Sequence, residues 1–358
     1  MRPVLLVAGA RPNFVKVAPV LRELDRRGVP NVLVHTGQHY DPAMSDVFFD
    51  ELGIRPPEHH LDVGSASHAV QTARIMEAFE PVVGRVGPGW VVVFGDVNST
   101  VAGALVAAKL GVRVAHVEAG LRSRDWSMPE EVNRVVTDRL SHLLLSPSAD
   151  GVANLRAEGY GDDRIALVGN VMVDSLLANV DRARARPILA DLGLGPDGYA
   201  MLTLHRPSNV DDPEVYAGIM GAVAKLAVDL PVVYPVHPRA RPALDALGVP
   251  TGVLAVEPVG YLDAIALQAS ARLVLTDSGG LQEETTVLGV PCLTLRTTTE
   301  RPVTIDEGTN ALVGVDPAAI DAAVRRVLTS PPPARRPALW DGRAAGRIVD
   351  ALLAADRP

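Results

Sequence analysis

Cys292, in "GVPCLTL", is the one cysteine among 358 residues. It rules out a disulfide within the chain and fits a reducing compartment. A free cysteine of this kind usually serves as a small core hydrophobe. Lysine is almost as scarce. Of 34 basic residues only Lys16, Lys109 and Lys225 are lysines, so each one is mildly informative. The formal charge is -8, which leaves no broad basic face for a nucleic-acid partner. No apolar run is long enough to span a membrane. The opening "MRPVLLVAGARP" passes directly into a strand and turn without a cleavage pattern. The expectation is a cytoplasmic protein with neither nucleic-acid nor membrane partner. Also missing are HExxH, CxxC, a P-loop, a GxGxxG in a first βα turn and a GxSxG elbow. Their absence argues against metallohydrolase, kinase, nicotinamide-enzyme and α/β-hydrolase readings, and no metal site is expected.

What is present is regular. Hydrophobic residues make up 47%, enough for two ordinary cores, and the length suggests two domains. Short apolar runs alternate with longer amphipathic segments. The first series is "PVLLVAG" (3–9), "NVLVHTG" (31–37), "WVVVFGD" (90–96), "VRVAHVE" (112–118), "HLLLSPS" (142–148) and "IALVGN" (165–170). The second is "YAMLTLH" (199–205), "PVVYPVH" (231–237), "GVLAVEP" (252–258), "RLVLTDS" (272–278), "VPCLTL" (290–295) and "NALVGV" (310–315). Near-continuous apolar runs mark strands covered on both faces, and helices between them mean parallel βαβ units. The pattern predicts an α/β fold: six strands, a helical connector near 172–192, then six strands. The expected domains are 1–171 and 172–335, with a tail helix in 336–358 that could return to the first domain. "SPPPARRP" (330–337) reads as a proline-rich linker.

Polar residues gather just after the strands, where open parallel sheets bind ligands. "GARPNFVK" (9–16) puts Arg11 and Lys16 near a helix start. Cations there oppose the helix dipole, so an anionic ligand is the more economical reason for them than a solvated face. "TDSGGLQEE" (276–284) repeats the logic. Ser278 could cap the helix or donate to a phosphate oxygen, and Gly279 and Gly280 would allow a positive φ or close approach of a ligand. Arg301, in "TTTERPVT", would supply charge-assisted bonds to a diphosphate, and Glu284 could take ribose hydroxyls. Asp96 and Glu118 stand directly after apolar strands, where an acid needs a partner. Glu130 and Glu131 open a helix, a position acids also favour for ordinary dipole reasons. His205 and Arg206, in "LTLHRPSN", and His237, in "PVHPRAR", follow strands of the second half. A lone histidine at such a place is usually structural. Two that would face the acid cluster look less so.

Taken in order, "GARPNFVK", "TGQHYD", "GDVNSTVAGALVAAKL", "HVEAGLRS", "MPEEVNR", "LVGNVMVD", "LTLHRPSNVDD", "YPVHPRAR", "TDSGGLQEE" and "RTTTERPVT" resemble the non-hydrolysing UDP-N-acetylglucosamine 2-epimerases from residue 9 to about 314. The resemblance implies the GT-B fold, with two Rossmann-like doubly wound domains facing a central cleft, usually as a homodimer. It implies a UDP-sugar substrate and inversion at C2 between UDP-GlcNAc and UDP-ManNAc. That chemistry runs without a cofactor, through UDP elimination to a 2-acetamidoglucal. The family's catalytic residues match Asp96, Glu118, Glu130 and His205. Its substrate-binding positions match Arg11, Lys16, Glu131, Arg206, His237, Ser278, Gly279, Gly280, Glu284 and Arg301.

The chain departs from the family pattern at several positions. Ala10 stands where Thr is commoner and Asn13 where Glu is commoner. Tyr40 and Asp41 stand where substrate-activated bacterial members carry basic and polar residues. Ser65, in "VGSAS", lies in a stretch where an Arg is typical. Weak or absent substrate activation is the expectation. The alternatives are a C2 epimerase of a related UDP-2-acetamido sugar and a GT-B UDP-sugar glycosyltransferase. A hydrolysing epimerase and a catalytically inactive sugar-nucleotide sensor are more distant readings.

Overall fold

A computed structural model describes residues 2–9, 11–37 and 51–356, without the side chains of Arg11 and Pro12. Ala10, Tyr40, Asp41 and the guanidinium of Arg11 therefore lie outside the described residues. The chain divides into two compact units, residues 1–175 with 338–358, and residues 176–337. The first division falls inside the helix Val171–Arg184.

The first unit contains a parallel sheet of strands β1 (Val4–Ala8), β2 (Asn31–His35), β3 (His59–His60), β4 (Trp90–Phe94), β5 (Arg113–Val117), β6 (Leu143–Ser146) and β7 (Ile165–Leu167). Its order is β3-β2-β1-β4-β5-β6-β7. β1 and β4, "VLLVA" and "WVVVF", are buried at every position, as central strands covered on both faces must be. The sequence pattern predicted six strands here, and the sheet has seven. β3 is two histidines pairing with Val34 and His35 at the sheet edge, too short and too polar to leave an apolar run.

The second unit contains β8 (Ala200–Thr203), β9 (Val232–Pro235), β10 (Val253–Val256), β11 (Leu273–Thr276), β12 (Cys292–Thr294) and β13 (Asn310–Leu312). All pair in parallel, in the order β10-β9-β8-β11-β12-β13. Cys292 is buried in β12. In each sheet the strand order reverses once, between β1 and β4 and between β8 and β11. Helices leave on opposite faces at such a switch point, and a crevice opens at the carboxyl ends of the two strands. Gly9, Gly95 and Asp96 follow the first pair; Leu204, His205, Asp277 and Ser278 follow the second. Among the described residues no helix is long and apolar enough to cross a membrane.

The tail helix Ala344–Ala355 belongs to the first unit and packs against the helix Arg11–Arg26. Its own N-cap, Arg343, makes no capping bond. The first two amides are taken instead by the buried Asp174 carboxylate, at 3.0 Å from Ala344 N and 2.7 Å from Ala345 N. A carboxylate there satisfies orphan donors and meets the positive end of the helix dipole. The Trp340 indole N–H, donating to Pro147 O at 3.1 Å, anchors the approach to the helix. Asp174→Ala should cost the first unit about 1–3 kcal/mol, the range for a lost cap with charged hydrogen bonds. Urea melts would measure this cost. Faster amide exchange at Ala344 and Ala345 would locate it, and unchanged exchange there would refute it.

Candidate active site

In the first unit the acids converge through the turns after β4 and β5. Glu118 follows β5 with φ of +75°, a left-handed conformation rare for a residue with a Cβ. Its amide and that of Ala119 both donate to Leu145 O, at 3.1 and 3.2 Å, which fixes the turn against β6. The side chain is buried. Its Oε2 pairs with the ammonium of Lys16, while Oε1 has no hydrogen-bond partner among the described residues. Gly95 lies against this pair, with φ of +64°. A methyl added there would stand 2.8 Å from Lys16 Nζ and 3.0 Å from Glu118 Oε2.

Asp96 is one residue further on. Its carboxylate pairs with Arg134, and its carbonyl accepts from Asn133 Nδ2 at 2.9 Å. Arg134 also binds Glu131 at 2.8 Å. The Glu131 oxygens accept in addition from Ser123 N, Ser123 Oγ and Arg124 N, each at 2.9 Å. Glu131 is thus a buried brace for the 123–124 turn, with both oxygens in use. Glu130 stands half-buried in the first turn of the same helix, Pro129–Leu140. Lys16, expected to add charge for an anion, has that charge already matched by Glu118. Ser65 is exposed. Asn13 is buried, accepting from Gly9 N and donating to Phe94 O, and so ties the ends of β1 and β4 together.

Beneath these turns lies Asp138, fully buried. It accepts from His116 Nδ1 at 2.6 Å, Gly120 N at 3.1 Å and Arg122 Nη2 at 2.7 Å. The other His116 nitrogen donates to Gly95 O at 2.8 Å. Burial pushes the Asp138 carboxyl up, but the His116 and Arg122 charges and hydrogen bonds outweigh it and hold the group below its usual range.

In the second unit the helix Gly279–Leu288 starts after β11. Ser278 occupies the cap position, yet its side chain makes no capping bond. Neither Gly279 nor Gly280 has a positive φ. The open backbone at Gly279 has a different reason: a methyl there would stand 2.5 Å from Arg301 Nη1 and 2.9 Å from Glu300 Oε1. Arg301 is not a loose loop cation. It is buried, paired with Glu300 and, at 2.8 Å, with Glu283. Glu300 also meets Arg296 at 2.8 Å and Arg206 at 3.9 Å. Arg206, Arg296 and Arg301 thus gather with Glu283 and Glu300 beside a helix N-terminus, the kind of place where an anion is favoured.

Asp277, also wholly buried, accepts from His205 N, Arg206 N and Asn209 Nδ2, and pairs with His205 Nδ1 at 2.7 Å. The His205 and His237 ring centroids are 5.7 Å apart. Glu284 is buried two turns into the helix and accepts from Gln268 Nε2 at 2.9 Å. Burial, with the neighbouring Glu283 charge adding to it, pushes its carboxyl up to about 7. Among the described residues no group of three His, Cys, Asp or Glu is arranged to hold a metal ion.

A model of the family "UDP-N-acetylglucosamine 2-epimerase" matches residues 22–353. The chain belongs to this UDP-N-acetylglucosamine 2-epimerase family. It is 38% identical over 364 residues to the UDP-N-acetylglucosamine 2-epimerase of Methanococcus maripaludis, covering 99% of each chain. It is 42% identical over 331 residues to the UDP-2,3-diacetamido-2,3-dideoxy-D-glucuronate 2-epimerase of Pseudomonas aeruginosa, covering 91% of this chain and 92% of the other. The crystal structure of Methanocaldococcus jannaschii UDP-GlcNAc 2-epimerase in complex with UDP-GlcNAc and UDP matches with a TM-score of 0.91 at 38% identity, covering 98% and 99%. As a member of this epimerase family the chain is an isomerase, and its two parallel-sheet units are those of a GT-B fold.

Several residues of these clusters escaped the sequence reading. Asp138 sits in the last turn of a helix, where nothing local marks it. His116, Gly95, Glu300 and Asp277 lie within quoted motifs, but each has a partner remote in sequence. Two tests follow from this geometry. Gly95→Ala should destabilise the first unit by about 1–2 kcal/mol, the cost of a Cβ in the left-handed region, and disturb the Lys16–Glu118 pair as well. Denaturant unfolding beside an activity assay would expose either failure. Glu284 is held above its unfolded pKa, so its folded form keeps a proton that the unfolded chain gives up. Stability is therefore lost as pH rises from 4.5 to about 7. At pH 8 Glu284→Gln should exceed the parent in stability by up to about 3 kcal/mol, and near pH 4.5 the two should converge. A constant difference at both pH values would refute this assignment.

Proposed function

We propose that the chain interconverts UDP-N-acetylglucosamine and UDP-N-acetylmannosamine by eliminating and re-adding UDP. The observation that carries this reading is Glu118: a buried carboxylate held in strained backbone, one oxygen on Lys16 and the other without a hydrogen-bond partner among the described residues. A base for a weakly acidic C–H needs such a placed, water-poor oxygen. The uridine diphosphate would lie at the second unit's helix start, with its phosphates on Ser278, Gly279, Gly280 and Arg301. Its ribose would meet Glu284. The sugar would lie by Asp96, Glu118 and Glu130.

In this mechanism a carboxylate removes the C2 proton as the C1–O bond breaks. The electron pair forms C1=C2 and UDP leaves with the bonding pair. A proton then reaches C2 on the other face and UDP re-adds at C1. Departure of a diphosphate is favoured where dipoles and guanidinium groups are already oriented to receive charge. The same reading takes the enzyme as a cytoplasmic homodimer that needs no cofactor. A second reading, a related UDP-2-acetamido sugar as substrate, is favoured by the 42% identity to the diacetamido-glucuronate enzyme.

In heavy water, purified protein given UDP-GlcNAc alone should yield product labelled with deuterium at C2, observed by NMR. Glu118→Gln should slow turnover by about 10²–10⁴ while UDP still binds, the span of a lost general base. Retained hydrogen at C2 would exclude elimination. Turnover only with the diacetamido-glucuronate sugar would select the second reading.

A further inference from the structure

His205 and His237 are neighbours, and the hydrogen bonds at their Nδ1 atoms are of opposite kind. The Nδ1 of His205 faces a carboxylate, Asp277 Oδ1, which can only accept, so the proton of this bond belongs to His205. The Nδ1 of His237 faces the backbone N–H of Arg239 at 3.2 Å and must accept it. A neutral imidazole carries one proton, and the partner of one nitrogen dictates the state of the other. Neutral His205 therefore presents a bare Nε2, and neutral His237 presents Nε2–H.

We propose that Asp277 is a positioning residue that fixes His205 with a bare, proton-accepting Nε2, paired with His237 in the opposite tautomer as a donor. This assignment rests on reading His205 as part of the UDP-sugar site. Once protonated from solvent, His205 becomes an imidazolium whose Nε2–H donates to a diphosphate oxygen. It is uncharged again after that proton has passed to the oxygen.

The surroundings fit this role. Asp277 is fully buried, and its Oδ2 accepts from His205 N, Arg206 N and Asn209 Nδ2, so the carboxylate cannot turn away. Arg206, the next residue, donates from Nε to Asp277 O at 3.1 Å, and its Nη2 is 3.9 Å from Glu300. Burial raises the Asp277 carboxyl, but the His205 hydrogen bond and charge and the two backbone amides outweigh it. The group is held below its usual range. Asp277 also links two motifs, because the helix that starts at Gly279 follows it by two residues.

Asp277→Asn separates positioning from mere packing. Three donors need an oxygen at the Oδ2 position, so the new amide would keep its oxygen there and turn its NH2 toward His205 Nδ1. That nitrogen must then accept, and the His205 proton moves to Nε2. Nitrogen-15 NMR of the histidine-labelled full chain, at a pH where the rings are neutral, should show His205 protonated at Nδ1 and His237 at Nε2. In Asp277→Asn the His205 proton should appear at Nε2. kcat should fall by about 10²-fold with KM within about threefold, as expected when proton transfer rather than binding is lost. His205 protonated at Nε2 in the unaltered chain overturns the proposal, whether or not the variant folds. An Asp277→Asn protein with a moved proton and undiminished kcat overturns the catalytic use of Nε2. Absence of turnover by the unaltered chain on any UDP-2-acetamido sugar, with both tautomers as stated, would instead sink the reading of the site.

Discussion

Each unit depends on one wholly buried aspartate at its strand ends. Asp138 gathers His116, Gly120 and Arg122; Asp277 gathers His205, Arg206 and Asn209. Turns at the carboxyl ends of parallel strands carry backbone amides that neither sheet nor helix satisfies. A buried carboxylate can accept several of them at once, and the bonds are strong because the acceptor is ionised. The cost of burying that charge is offset only while the donors stay in place. Removing one partner of such a buried pair typically costs about 3–5 kcal/mol. The loops holding the site are therefore fixed by electrostatics rather than by side-chain packing.

The contrast between Glu118 and Glu131 shows how the same side chain serves two purposes. Glu131 accepts from Ser123, Arg124 and Arg134, with both of its oxygens engaged in holding the turn. Glu118 is equally buried, but one of its oxygens has no partner among the described residues, and it sits at a positive φ. Leaving a buried polar atom unpaired costs about 1–3 kcal/mol. A strained backbone conformation adds a cost of order 1–3 kcal/mol. Structural residues do not accumulate such costs without return, and local rules are broken mostly where function requires it. Gly95 makes the arrangement possible, since any side chain at that position would enter the space between Lys16 and Glu118.

Most of the fold was legible, because central parallel strands must be apolar on both faces and so announce themselves as continuous runs. β3 was not, since a two-residue edge strand buries too little to need such a run. The strand-end residues were legible by position alone. Their partners were not. Lys16 and Glu118 are 102 residues apart, and no local pattern joins them. Asp138, in "VVTDRL", occupies a position that reads as a solvated helix face. The glycine at 279 was legible as a need for open backbone. The cause, a guanidinium from 22 positions further on lying over it, appears only once β11 and β12 are paired.

The second unit couples its parts through a short path. Asp277 stands between Thr276, whose hydroxyl is 2.6 Å from that of Thr203 and accepts from Ser278 N, and the helix that starts at Gly279. The same carboxylate holds the start of the loop after β8. The ends of β8 and β11 thus share hydrogen bonds on both sides of the switch point, and Arg206 extends the link to Glu300 and the Arg301 cluster. His205 and the Arg301–Glu300 cluster are therefore one hydrogen-bonded object rather than two adjacent ones. Preorganisation of this kind is what lets oriented dipoles act on developing charge without first reorganising. It also makes an isolated effect improbable for any substitution in the loop after β8: a change in the position of His205 must alter the Asp277 bonds, and through them the first turn of the helix that carries Gly279 and Gly280.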